Sequence, residues 1–313
     1  MESFFLNRER TLMKKILLYA LLAFVVCTVL PVLFLRWISP PTSAFMVESW
    51  MSNMLSGKNQ PTQYHWVTWD RISPWMGLAA MASEDQKFPF HHGFDFESIS
   101  DAVHKHEEGG RLRGASTISQ QVAKNLFLWP GRNLVRKGIE AYFTVLLELF
   151  WSKLRILEVY LNIAQFGEGI YGVYAATQTY FHKLPSELTR QEAVLLVTVL
   201  PNPKIFNVLH PSPYMEERVS WIESQMKQLG GLAYLGNITG GDKYTKEVWK
   251  DSEDEKQQED KKQREDEQFM VPATENIRDP NTDTDEQGKD EGSLLWMPEW
   301  EKKPEASPTA PGF

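Results

Sequence analysis

The densest concentration of reactive side chains in the 313-residue sequence lies between Ser83 and Asp95, which brackets Glu84, Asp85, Lys87, His91, His92 and Asp95. Carboxylates and imidazoles at this density can take or give the proton of a substrate hydroxyl if a fold orients them and keeps water away. On composition alone, Glu84-Asp85 reads first as a solvated turn or a helix cap. The spacing His-His-x-x-Asp matches no strong metal-ligand signature, so no metal ligand is assigned.

A second group follows in Arg113-Gly-Ala-Ser-Thr-Ile-Ser-Gln-Gln-Val-Ala-Lys-Asn125. Gly114 and Ser116 read as a helix start, with Ser116 as the N-cap. Thr117, Gln121 and Lys124 then recur at i, i+4 and i+7 and share one face. Ile118, Val122 and Leu126 form a separate apolar stripe. A hydroxyl, an amide and an ammonium on one face can hydrogen-bond a sugar or a phosphate, and spacing alone permits an ordinary exposed face equally well. Next come Arg132, Arg136 and Lys137, with Glu140 one turn beyond Lys137. Cations at the start of a helix oppose its dipole, a local conflict expected where an anion must be bound. The bland alternative is a surface Lys137–Glu140 pair. Glu158 and Asn162, at i and i+4, read as a structural hydrogen-bonding pair.

These residues need helices to position them. Apolar residues recur with helical period near 74–86, 95–107, 116–128, 134–150, 152–163, 168–180 and 189–200. Gly109-Gly110, Pro130-Gly131 and Pro201-Asn202-Pro203 punctuate them. Few runs alternate as strands do, so the fold class is mainly α. Residues 250–268 contain no apolar side chain, and the segment beyond is rich in Pro, Asp, Glu, Asn and Thr. Such a composition buries too little apolar surface to offset ordering entropy, and disorder or a solvated helix is expected there.

The net charge of −8 is a property of that tail. Residues 251–313 carry 19 Asp and Glu against 8 Lys and Arg, leaving 22 acids and 25 bases in residues 1–250. A mildly basic body gives no reason to expect nucleic acid as a partner, but it suits an anionic membrane or a pyrophosphate ligand. The single cysteine, Cys27, excludes an intramolecular disulfide and a multi-cysteine metal site.

Cys27 lies within Ile16–Leu35, twenty residues without a charge. As a helix this run spans about 30 Å, the thickness of a bilayer core. Arg8, Arg10, Lys14 and Lys15 precede it and Arg36 alone follows, which predicts a cytoplasmic N-terminus and an external body. The run exceeds a signal-peptide core and ends without a small-x-small cleavage site, so a retained anchor is expected. The expected organisation is a cytoplasmic N-terminus over 1–15, a transmembrane helix over 16–36, a connector over 37–70, a catalytic domain over 71–241 and an acidic, disordered tail over 242–313.

Taken together, the segments resemble glycosyltransferase family fifty-one, the penicillin-binding-protein glycosyltransferase domain. The carriers are Glu84-Asp85-x-x-Phe88-x-x-His91-x-Gly93; Gly114-Ala115-Ser116-Thr117-Ile118-x-Gln120-Gln121-x-x-Lys124-Asn125; Arg136-Lys137-x-x-Glu140-Ala141; and Ile156-Leu157-Glu158-x-Tyr160-Leu161-Asn162. Gly169–Ala176 and Pro201-Asn202-Pro203 extend the match, which covers about residues 65–225. Ala115 stands where the family usually has glycine. No transpeptidase motif set follows, so the likeness is to the monofunctional biosynthetic peptidoglycan transglycosylases of Gram-negative bacteria.

The resemblance implies a lysozyme-like, mainly helical glycosyltransferase domain behind a single N-terminal transmembrane helix, on the periplasmic face of the inner membrane. It implies lipid II and the growing glycan strand as substrates. The GlcNAc 4-hydroxyl would attack the MurNAc anomeric carbon with inversion and expel undecaprenyl diphosphate. By motif, Glu84 is the general base and Glu140 the second catalytic glutamate. Lys124, Arg132, Arg136 and Lys137 would hold the diphosphate, and Asp85, Phe88, His91, Thr117, Gln121 and Asn125 would shape the cleft. No tightly bound cofactor is implied; a divalent cation, magnesium or manganese, often supports the family reaction. Cell-wall synthesis or division proteins are conceivable partners. The alternatives are a lytic, lysozyme-like glycan-cleaving enzyme, which would lack the cation cluster, and a non-catalytic cell-wall scaffold.

Overall fold

The computed structural model describes residues 2–57, 61–100, 116–131, 133–241 and 261, with side chains from Leu12 onward. Arg132, the turn at Gly109-Gly110, the start of the second motif at Gly114-Ala115 and the acidic tail, Lys261 excepted, lie outside the described residues.

The N-terminal run forms α1 (Glu2–Leu35). Its stretch Leu12–Leu35 is long and apolar enough to cross a membrane, and only 6% of that window is buried by protein. Pro31 sits inside the helix near its C-terminal end. A second helix, α2 (Ala44–Leu55), begins at Ser43, whose hydroxyl accepts from the Met46 amide, a local N-cap.

The body is helical around one core. Its elements are α3 (Pro74–Glu84), α4 (Ile118–Phe127), α5 (Leu134–Phe150), α6 (Lys153–Ile163), α7 (Gly172–Phe181), α8 (Arg190–Thr198), α9 (Pro213–Gln228) and the short α10 (Gly236–Thr239). The helices α3 to α8 begin and end within four residues of their expected windows, and residues 96–100 begin the helix expected over 95–107, the remainder of which lies outside the described residues; α2, α9 and α10 correspond to no expected window. α3 is the central element, with Met76 to Ala82 all buried. Its small residues let neighbours close in, since a Cβ on Gly77 would strike the Trp69 ring at 2.6 Å. It packs against α8 and α9, and α4 packs against both α5 and α6.

The connector over 37–70 contributes structure of its own. Besides α2 it supplies β1 (Gln63–Tyr64), which pairs in parallel with β3 (Ile170–Tyr171). β2 (Gln165–Gly167) runs antiparallel to β3, giving the order β1-β3-β2. These strands are too short to leave an alternating pattern in the sequence. Asn162 extends the tie between connector and body: its Oδ1 accepts from Val67 N at 2.8 Å and its Nδ2 donates to Val67 O at 2.9 Å. Glu158 accepts from Trp69 N at 2.9 Å, so this pair is structural, as its spacing indicated. Gly172 opens α7 with a φ of +81° and its α-carbon against the Asn162 carbonyl, where any side chain would collide.

Candidate active site

α3 ends at Glu84, and the chain breaks out of the helix at Asp85, whose φ and ψ are −161° and 79°. That break points successive carboxylates in different directions. Asp85 turns inward, its side chain only 3% exposed, and receives His91 Nε2 at 2.9 and 3.0 Å. It also accepts from Ile118 N at 2.9 Å and so satisfies a free amide at the start of α4. Phe88 is fully buried beside them, edge-on to His91, with the Lys153 ammonium 4.6 Å from its ring centroid. Lys153 is paired with Glu148 at 2.7 Å, and Glu148 also accepts from Ser119. Burial holds the Lys153 pKa below the ordinary lysine range, against the pull of Glu148 and Asp85.

Thr117, rather than Ser116, is the N-cap of α4. Its hydroxyl accepts from Gln120 N while the Gln120 side chain accepts from Thr117 N, a reciprocal capping box. The Thr117 hydroxyl also donates to Gly93 O at 2.7 Å. Thr117 therefore leaves the face shared by Gln121 and Lys124. Gly93 has a φ of +87°, and a Cβ there would meet Thr144 at 2.7 Å, which explains a glycine after the two histidines. Asp85, Phe88, His91 and Thr117 thus form the buried support on which the Glu84 turn and α4 rest.

Glu84 faces the other way. Gln121 Nε2 donates to its Oε2 at 3.1 Å, and Ser83 Oγ donates to its Oε1 at 3.0 Å. Arg218 of α9 lies 3.3 Å from Oε1 and donates to Ser83 Oγ at 2.9 Å. Tyr160 donates to Gln121 Oε1 at 3.4 Å. Burial raises the Tyr160 pKa well above its ordinary value, and the Glu84 and Asp85 charges add to the effect, so it stays a neutral donor. The Glu84 side chain keeps 14% of its surface exposed, which leaves a path for a substrate hydroxyl.

One turn further along α4, Lys124 faces the first turns of α5. There Glu140, 3% exposed, receives Arg136 at 3.0 Å through Oε2 and Lys137 through Oε1. Asn133 caps this helix by accepting from Arg136 N at 2.7 Å. Lys124 makes no hydrogen bond or ion pair among the described residues; its ammonium lies 5.8 Å from the Phe45 ring centroid. Burial holds its pKa below the ordinary lysine range; Glu140 and Glu84 oppose this, while the Arg136 and Lys137 charges add to it. Among the described residues Arg136 Nε and Asn125 Oδ1 are buried without a partner. Three cations with spare donors beside a single carboxylate leave a net positive charge that an anion would neutralise.

The structure brings Glu84 and Gln121 together at one end of α4, and Lys124, Arg136, Lys137 and Glu140 beside the next turn. The sequence reading missed Arg218, Ser83 and Tyr160. Arg218 lies in an amphipathic helix beside two glutamates, where its local context reads as an ordinary surface. Tyr160 sits inside a motif already quoted, with only its neighbours considered.

The chain matches the Transglycosylase family over residues 51–227. This chain belongs to the transglycosylase family. It is 51% identical over 212 residues to the biosynthetic peptidoglycan transglycosylase of Xylella fastidiosa strain M12, covering 66% of this chain and 86% of that one. It is 49% identical over 228 residues to the protein of that name from Pseudomonas syringae pv. tomato, covering 73% and 97%. As the motifs indicated, the transglycosylase match includes α3 to α8 and most of α9, and both glutamates lie within it.

Among the described residues no three His, Cys, Asp or Glu side chains converge as a metal site. Glu140 already has two cationic partners, Arg136 and Lys137, one on each oxygen.

Proposed function

We propose that the chain is a peptidoglycan glycosyltransferase that polymerises lipid II, held by α1 in the bacterial inner membrane with its catalytic domain outside. The observation that carries this reading is α4: it presents Gln121 to Glu84 and, one turn later, Lys124 to the Arg136–Lys137–Glu140 cluster. A carboxylate and a fixed cation cluster are the two halves that glycosyl transfer from a diphosphate requires.

A sugar hydroxyl is a weak nucleophile, so its proton must leave as the glycosidic bond forms. Glu84 takes the proton of the GlcNAc 4-hydroxyl while that oxygen attacks the MurNAc anomeric carbon from the face opposite the diphosphate. Gln121, Ser83 and Arg218 hold the carboxylate in place. The C–O bond to the lipid diphosphate breaks and its electron pair goes to the leaving oxygen. Lys124, Arg136 and Lys137 stabilise that charge, and Glu140 keeps the latter two aligned. Arg132 would add a cation from outside the described residues, and Asn125 a side-chain carbonyl beside Lys124.

The flanks of the uncharged run Ile16–Leu35 within α1, with four basic residues before it and Arg36 after it, support the orientation. An anchor confines the enzyme to the plane in which its lipid substrate diffuses and so raises effective concentration. Incubating purified full-length protein with lipid II tests the reading: glycan strands and released undecaprenyl diphosphate are expected. Release of soluble muropeptides from preformed wall, with no polymer from lipid II, would replace it with the lytic alternative.

A further inference from the structure

The C-terminal end of α1 is completed by side chains of the catalytic domain. The last four carbonyls of a helix lack intrahelical partners. Here Leu33 O accepts from Arg36 N at 3.2 Å, and Phe34 O from Trp37 N at 3.2 Å and Ile38 N at 3.0 Å. The other two are taken by the body. Trp151 Nε1 donates to Val32 O at 2.7 Å, and Arg155 donates to Leu35 O at 3.2 and 2.9 Å through Nε and a terminal nitrogen. Arg155 also donates to Ile38 O at 2.8 Å, with Glu158 at 2.6 Å as its counter-ion and the Trp66 ring 4.9 Å from its guanidinium. Val32 is fully buried in this contact and Trp151 is 5% exposed. A cation here also complements the negative end of the α1 dipole.

The contact extends down α1. The Thr28 and Tyr142 hydroxyls are 2.8 Å apart, and the Phe24 and Tyr142 rings meet at 5.6 Å. Thr28 lies eight residues before Arg36, about 12 Å lower at the helical rise. The α5 residues Val145 and Leu149, one turn apart on a single face, are 52% and 69% exposed. Those side chains are costly in water and suited to acyl chains.

We infer that Trp151 and Arg155 are positioning residues that lock the catalytic domain to its membrane helix, fixing its depth and tilt so that the diphosphate-binding cations meet a headgroup still seated in the bilayer. The inference rests on the lipid-linked substrate of the preceding section. It requires that the lock act on long-chain substrates in a membrane and be dispensable for a substrate free in solution.

The test uses full-length protein in phospholipid vesicles. Trp151→Phe removes the indole donor and Arg155→Met the guanidinium. In a Cys27→Ser background, a fluorophore at Val145→Cys reports depth through quenching by lipids spin-labelled on acyl chain or headgroup. Acyl-chain quenching is expected without the lock substitutions and headgroup quenching in the double variant. Turnover of long-chain lipid II should fall at least tenfold, and that of a water-soluble short-chain analogue less than twofold, with Arg155→Lys recovering part of the loss. Unchanged depth, or equal loss on both substrates, overturns the inference. Glu84→Gln separates the two readings, since it should abolish both activities without moving the label; wild-type protein inactive on both substrates would instead count against the lipid II reading, whatever the label depth.

Discussion

Two glutamates on separate helices are held in opposite ways. Glu140 is 3% exposed and already charge-balanced by Arg136 and Lys137, both on its own helix. Glu84 stands at a helix end, 14% exposed, with a neutral amide, a neutral hydroxyl and one guanidinium at 3.3 Å. A carboxylate paired with two cations has both oxygens occupied. One held mainly by neutral donors at an open edge is within reach of a substrate hydroxyl. Under the proposed function this contrast divides the labour: Glu84 would handle the proton, and Glu140 would set the cations that receive the leaving charge.

Breaking the Glu84 side should give the largest effect. Glu84→Gln keeps size and hydrogen-bonding capacity and is expected to lower kcat by about 10²–10⁴, the usual range for a lost general base. Its Tm should stay near wild type, because the carboxylate supports little of the core. Breaking the Glu140 side should appear in stability. Glu140→Gln leaves the Arg136 guanidinium buried without its counter-charge, and a loss of roughly 3–5 kcal/mol by urea unfolding is expected. Reversed results in these two experiments would reverse the assignment.

The other two predictions sharpen the contrast. Arg218→Met removes the only charged contact to Glu84 among the described residues and should lower kcat/KM about tenfold, near the value of a hydrogen bond to a charged group. Lys124→Arg tests the cation side. The Lys124 pKa lies below the ordinary lysine range because of burial, so its charge is lost at lower pH than for an exposed lysine. Anion binding needs that charge, so kcat/KM should fall on an early alkaline limb. An arginine stays charged throughout, and the limb should move to higher pH. A limb that does not move would show that Lys124 does not carry the alkaline titration.

Much of this contrast was legible in the residues. Helical periodicity located α3 to α8, most sharply in α5, which fills its expected window between the N-cap Asn133 and Trp151, although the central α3 buries Met76 to Ala82 on every side. The cation cluster was visible because charges in a first helical turn oppose the helix dipole. The inward turn of Asp85 was not, since it depends on a backbone break after Glu84 and on His91 arriving from the following loop. Arg218 was hidden for a related reason: its partner is 134 residues away, and only the packing of α9 on α3 joins them. The short strands and the strand-like pairing of Asn162 with Val67 likewise arise from tertiary contact rather than local pattern.

The division of labour is tested most directly by measuring undecaprenyl diphosphate affinity and polymer yield on the same Glu84→Gln protein. Affinity within twofold of wild type together with polymer yield reduced at least a hundredfold is the predicted result. Full polymerisation by this variant, or a tenfold loss of diphosphate affinity, would contradict the assignment of the proton to Glu84 and the leaving charge to the cation cluster.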